Sequence, residues 1–289
     1  MRRLGLWMAF VVWFVPVFVA GEPARKEVAV TIDDLPASNI ATFEDQLRIN
    51  RKILDILDQY HVKATGFVIA NRALGKTSIL NIWLERGHDL GNHTYSHMDF
   101  DQVDAPSFET DIKKGASVIE TLLREHERTL KYFRFPYLHT GSGQEKGRDI
   151  RLFLEESGYT IAPVTIDTRD WEYNSRFVRA WGANDSTKQA RIEAAYLRQV
   201  KRVTEQAENV SWERFGRNIR YVLLLHLNRI NGEVLDRVLG YYVRSGYSFI
   251  PLQEALQDSV YDPDGEFVGY ESSSWPVRPE LGFPQRRSK

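Results

Sequence analysis

Residues 28–36 read VAVTIDDLP, five apolar or β-branched residues followed by two aspartates, a leucine and a proline. The run predicts a buried strand, because a strand with one face in water would alternate polar and apolar residues. Its polar chemistry is held back to the C-terminal end. On an extended chain successive side chains point to opposite faces, so Asp33 and Asp34 are expected to aim at different sides, one at a metal ion and the other at a water on it. The same pair would serve as an aspartate-rich turn or helix cap, and the rest of the chain has to decide between them.

Downstream, short apolar strands alternate with amphipathic helices. Leu47, Ile49, Ile53, Leu54 and Leu57 predict a helix over 43–60, and ATGFVI at 64–69 a second strand. Further helices are expected over 78–86, 108–130, 149–157, 233–245 and 252–257, with strands or turns at 88–91, 132–136, 161–166, 221–228 and 248–250. The stretch 172–220 is expected to hold one long helix around 188–208. Such alternation argues for an α/β domain with a parallel sheet and helices outside it, doubly wound or closed as a barrel. Residues 258–289, rich in Gly, Pro, Ser and aromatics, read as an irregular tail.

With 289 residues, 43% of them hydrophobic, the chain can bury a sizeable core. A formal net charge of −1 leaves no basic excess, so the phosphate attraction behind nucleic-acid binding has no evident source and no nucleic-acid partner is expected. Arg2 and Arg3 precede an apolar run over 4–20, the pattern of a signal peptide at 1–21 or, if uncleaved, of an N-terminal membrane anchor. An exported location, bacterial periplasm or extracellular, is therefore expected, with membrane contact only through that segment. The chain has no cysteine. Thiolate metal sites and cysteine nucleophiles are excluded, and any transition metal must be held by histidine and carboxylate.

Parallel strands deliver their C-terminal ends to a common site, so polar residues at strand ends carry weight. Four places join the aspartate pair. GNHTYSH at 91–97 puts His93 and His97 four residues apart, close enough on one turn to bind one ion, although a polar turn would read the same way. In RFPY at 134–137 the proline fixes the chain and leaves the Tyr137 N–H to point into a cavity, while Arg134 offers a two-pronged grip on a carboxylate. DTRDW at 167–171 places two carboxylates and a large aromatic after a strand. His226 follows VLLL at 222–225; alone it would be a satisfied core residue, but beside a buried carboxylate it becomes a proton donor.

In order and spacing, the motifs TIDDLP, HTYSH, RFPY, DTRDW and LLLH resemble those of the polysaccharide deacetylase family, the NodB-homology or carbohydrate esterase family 4 deacetylases. The resemblance runs from about Val28 to Leu256. It implies a distorted (β/α) barrel of the NodB-homology type forming a single domain over 27–257. It also implies one divalent metal ion, most often Zn2+, on Asp34, His93 and His97. Asp33 would be the general base, oriented by Arg134. The Tyr137 N–H would help to hold the oxyanion, and His226, held by Asp170 and shielded by Trp171, would protonate the leaving amine. Trp171, Tyr137 and Leu138 are expected against the substrate.

The implied partner is an acetylated polysaccharide of the envelope or the extracellular space: peptidoglycan, a chitin-like chain or poly-N-acetylglucosamine, with loss of N-acetyl groups as acetate. Two positions depart from the family pattern. Leu35 and Leu138 stand where glycine is usual, and both are expected at the cleft rim, where they would bear on substrate shape. A small-molecule amidohydrolase on the same fold and an inactive glycan-binding module are the alternatives; full retention of Asp33, Asp34, His93, His97 and His226 weighs against the second.

Overall fold

The computed structural model describes residues 26–261 apart from residue 38, so the expected signal segment and most of the tail lie outside the described residues. Along the chain, β1 (Lys26–Leu35) is followed by α1 (Phe43–Gln59), β2 (Thr65–Val68), α2 (Ala70–Ala73), α3 (Thr77–Glu85), β3 (Asp89–Asn92) and α4 (Ala105–Glu125). Then come β4 (Tyr132–Phe133), α5 (Gln144–Glu156), β5 (Thr160–Ile161), β6 (Ile166–Asp167), α6 (Asp170–Gly182) and α7 (Ser186–Phe215). The last elements are β7 (Arg220–His226), α8 (Arg229–Arg244), β8 (Tyr247–Phe249) and α9 (Leu252–Ala255).

Every strand pairing is parallel, in the order β5-β4-β3-β2-β1-β7-β6. Because β7 occupies one edge of β1 from Glu27 to Asp33, β8 must take the other edge at Lys26–Val28, ahead of β2. The margins β5 and β6 are not paired to each other. The sheet therefore curls into an incomplete barrel with helices around it, the distorted (β/α) barrel expected from the sequence.

Burial explains the central strands. From Val28 on, β1 is buried throughout, and Val222 to Leu225 of β7 are at most 3% exposed. Each such aliphatic side chain contributes roughly 1.5–3 kcal/mol when taken out of water. Four helices, α1, α4, α7 and α8, start at side-chain caps. Thr42 accepts from Asp45 N, Asp104 from Ser107 N, Asp185 from Lys188 N and Asn228 from Asn231 N, contributions of about 1 kcal/mol each.

Three expectations are corrected. The strand read over 161–166 is two short pieces, β5 and β6, because Pro163 cannot donate to a ladder. The helix read from 108 begins at Ala105 behind the Asp104 cap and ends at Glu125. A whole helix, α6, lies where the sequence reading placed none; its buried Asn174, Phe177 and Ala180 mark the inner face. Packing also runs past 257: Asp258 binds Arg217, and Val260 is 6% exposed. Among the described residues, no helix is long and apolar enough to cross a membrane.

Candidate active site

All five motifs arrive at the carboxyl ends of the strands, but the first does so differently from an extended chain. Asp34 has φ 68 and the β1–β2 register slips between Ile32 and Leu35, so the alternation of side chains breaks there. Both carboxylates consequently face one imidazole. His93 Nε2 lies 3.7 Å from Asp33 Oδ2 and 3.7 Å from Asp34 Oδ1.

His93 follows β3, its N–H bonded to the Val68 carbonyl at 3.0 Å. Its Nδ1 is 2.8 Å from the Arg134 carbonyl, an atom that can only accept, so Nδ1 carries the proton and Nε2 presents a lone pair. Burial pushes the His93 pKa down to about 4 against the pull of Asp33, which keeps the ring neutral. His97 closes a loop turned by Thr94 (φ 64) and by its own φ of 62. Its Nε2 is 3.3 Å from Asp34 Oδ1.

That oxygen is buried without a hydrogen-bond partner. Burial works against its charge, but His97, His226 and His93 outweigh burial and hold the carboxyl well below the usual range. Two imidazoles and an orphaned carboxylate oxygen, with ligand atoms within 4.8 Å of one another, fit a divalent cation that takes nitrogen and oxygen ligands. Main-chain bonds tie the two ligand segments together. Ile69 N donates to Leu35 O at 3.0 Å, Ala70 N to Thr94 O at 3.1 Å and Asn71 N to Tyr95 O at 3.0 Å.

Arg134 is fully buried beneath this cluster. Its grip on Asp33 is a single prong: Nη1 donates to Asp33 Oδ1 at 2.8 Å and to Thr31 Oγ1 at 2.7 Å. Nε and Nη2 donate to the Ala162 and Pro163 carbonyls at 3.3 and 3.2 Å, and Phe67 lies 4.3 Å under the guanidinium. The break between β5 and β6 thus has a use, since it frees two carbonyls for Arg134. Burial lowers the guanidinium pKa and Asp33 resists that shift.

On the other side of β1, Asp33 and His226 are paired positions of β1 and β7. His226 Nδ1–H donates to Asp170 Oδ1 at 2.6 Å, and His226 N donates to Asp170 Oδ2 at 2.7 Å. Burial disfavours the imidazolium, but Asp170, with Asp34 and Asp33 behind it, raises the pKa to about 10. Trp171 stands next to this pair at the start of α6, 53% exposed, with the Arg169 guanidinium 5.9 Å from its ring. Tyr137, 55% exposed, packs edge-on against His97 with centroids 4.5 Å apart.

The polysaccharide deacetylase family description matches residues 20–162, nearly half of the chain. Over those residues the chain matches the polysaccharide deacetylase family. The matched segment carries Asp33, Asp34, His93, His97, Arg134 and Tyr137 and ends before Asp170 and His226. The chain is 31% identical to a peptidoglycan-N-acetylglucosamine deacetylase of Bacillus cereus over 153 residues, 53% of this chain and 49% of that protein. It is 33% identical to a chitin deacetylase of Colletotrichum lindemuthianum over 164 residues, 55% of this chain and 58% of that protein. The chain thus spans about half the length of the curated relatives it matches. Two solved structures share the fold: the peptidoglycan deacetylase PdaC of Bacillus subtilis (TM-score 0.53, 20% identity, 81% of this chain and 93% of that one) and a CE4 family pseudoenzyme of Bacillus anthracis (TM-score 0.57, 19% identity, 81% and 66%).

The two departures from the polysaccharide deacetylase pattern separate in the structure. Leu35 is not at the rim: it is fully buried, and a Cβ on Gly66 would come within 2.5 Å of its Cδ2. Leu138 is half-buried, with φ 59, so the position where glycine is usual is a left-handed one that this chain fills with a side chain. Sequence reasoning also missed Asn228 and Asn231, which bind Asp170, and a cluster of Asp99, Asp101 and His139 two residues beyond Tyr137. The helix-cap pattern HLN at 226–228 was the available signal for Asn228; nothing local announced the cluster, whose members meet through loop packing. Hydrogen bonds from His139 to Asp99 and from Gly141 N to Asp101 make that cluster a fastener between two loops.

Proposed function

We propose that this chain is an exported, metal-dependent deacetylase that removes N-acetyl groups from an envelope or extracellular glycan. The observation that carries the reading is the orphaned, buried Asp34 Oδ1 facing His93 and His97, with the Arg134–Asp33 pair on one side and the Asp170–His226 pair on the other. A divalent ion held by Asp34, His93 and His97, zinc by the donor set, supplies Lewis acidity toward the amide carbonyl and acidifies water. Asp33, fixed by Arg134, accepts the proton of the attacking water. The Tyr137 N–H donates to the oxyanion that develops on the carbonyl oxygen. His226, charged by Asp170, delivers a proton to the leaving nitrogen, without which an amine departs poorly. Trp171, Tyr137 and Leu138 would contact the sugars.

The relatives named peptidoglycan-N-acetylglucosamine and chitin deacetylases support an N-acetylglucosamine polymer as substrate. The test is acetate release by the zinc-reconstituted protein from chitin oligomers, peptidoglycan, poly-N-acetylglucosamine and acetylated xylan, with metal stoichiometry measured alongside. Release from at least one N-acetyl polymer at one metal per chain is expected. No release from any of them at full metal loading would refute the reading.

A further inference from the structure

The long helix α7 belongs to none of the five motifs, yet one of its residues reaches the side chains that hold Asp170. Tyr196 is fully buried; its hydroxyl donates to Asn231 Oδ1 at 2.9 Å and lies 3.4 Å from Thr168 Oγ1. The two ends of a primary amide are alike in shape and opposite in hydrogen-bonding sense. With Oδ1 engaged by Tyr196, Asn231 turns Nδ2 inward, where it donates to Asp170 Oδ2 and, at 2.9 Å, to the His226 carbonyl. Asn228 Nδ2 at 3.1 Å and His226 N at 2.7 Å reach the same Oδ2. That oxygen is saturated, which leaves Oδ1 to the His226 ring. A reversed Asn231 amide would set two acceptors against each other in a buried site, an arrangement that costs the desolvation of both.

We propose that Tyr196 is a positioning residue for the leaving-group proton: it locks the amide of Asn231, Asn231 and Asn228 fix Asp170, and Asp170 fixes the His226 ring. The α7 segment thereby sets the orientation of the acid from outside the motifs. Burial and the nearby Asp170 push the Tyr196 phenol well above its ordinary pKa, so it remains a donor. The kinetic consequences rest on the deacetylase reading; the structural ones do not.

Tyr196→Phe removes the hydroxyl alone. Tyr242→Phe is its control, because it deletes an equally buried bond between the same two helices, Thr204 Oγ1 to Tyr242 Oη at 2.8 Å, with no contact to Asp170. In NMR spectra of the full chain, the His226 Nδ1 proton, identified by its loss in His226→Ala, should exchange slowly in the wild type and in Tyr242→Phe. In Tyr196→Phe its exchange should quicken about 10-fold or more, and kcat on an N-acetyl oligomer should fall roughly 10-fold at unchanged KM, part of the ~10²–10⁴ that a general acid supplies. Turnover of an activated aryl acetate should stay within about 2-fold, since its leaving group needs no proton. Should Tyr196→Phe not fold, Asn231→Ala must show the same quickened exchange. Equal exchange of the Nδ1 proton in wild type, Tyr196→Phe and Tyr242→Phe, or equal quickening in both variants, would overturn the proposal, whether or not the protein deacetylates any glycan.

Discussion

Replacing Asp170 by asparagine keeps the shape of the side chain and one acceptor but removes the charge that holds a proton on His226. Burial alone would take the imidazole below its ordinary 6.5; Asp170 is the first of the groups that lift it to about 10. A group of pKa about 10 is ~99% protonated at pH 8, and one at 6.5 only ~3%. If turnover of an N-acetyl oligomer needs that proton, kcat/KM of Asp170→Asn should fall about 30-fold at pH 8 and by less than ~2-fold at pH 5.5, where both forms are almost fully protonated. A cation on Asp34 would cancel part of that carboxylate's pull and narrow the gap at pH 8 without changing its direction. The assay is acetate release from pH 5 to 9, expressed as variant over wild type at each pH, so that titration of groups common to both cancels, with metal content measured at each point. A ratio that stays flat across the range would mean that Asp170 acts on His226 through geometry alone, and the electrostatic account would be wrong.

Loss of any one of Asp34, His93 or His97 to alanine should abolish metal retention and turnover, whereas Asp33→Asn should keep the metal and lose turnover; elemental analysis after dialysis decides, and stoichiometric zinc on the His93→Ala, His97→Ala double variant would disprove the ligand set. His226→Ala should cost much of ~10²–10⁴ in kcat/KM on an N-acetyl oligomer and far less on an aryl acetate, and equal losses would make His226 a structural residue. Arg134→Met leaves Asp33 buried and unpaired, so urea unfolding should show a loss of about 3–5 kcal/mol that adding Asp33→Asn partly restores. His88 is buried, accepts from Ala64 N at 3.1 Å and has its pKa lowered by burial to about 4. The unfolded chain protonates it near 6.5, so its contribution is complete above that pH and is lost as pH falls toward 4, up to about 3 kcal/mol. His88→Gln should flatten the fall in unfolding free energy between pH 7 and pH 4.5, and an unchanged fall would assign it to other groups.

Much of this was legible because the chemistry sits at strand ends. The run VAVTIDDLP gave β1 its burial and its two carboxylates, and the periodicity from Leu47 to Leu57 gave α1, since both patterns are local and strongly amphipathic or apolar. What failed depended on tertiary context. The opposed aspartates assumed an extended backbone, which the register slip at Ile32–Leu35 breaks. Leu35 was expected at the rim because it stands where glycine is usual in the family pattern, yet its side chain is fully buried in the core. The two-pronged Arg134 ignored the carbonyls released by the break between β5 and β6. α6 escaped notice because the buried Asp170 and Asn174 interrupt its apolar face, and the Asn231–Tyr196 contact spans 35 positions, beyond the reach of any local pattern.

The left-handed residues have a consequence for durability. Six of the ten non-glycine residues with positive φ among the described residues, Asp34, Thr94, His97, Tyr137, Leu138 and Arg169, belong to this site. At roughly 1 kcal/mol each, these conformations together cost about as much as the net stability of many domains, and the paired strands beneath them have to supply it. The mouth of the barrel is therefore the region with the least free energy to spare against local opening, while the sheet floor of β1, β2 and β7 opens only with the whole molecule. A ligand that joins β1 to the 93–97 loop would close this gap, so the metal would act as a latch on the mouth of the barrel as well as a reagent in it.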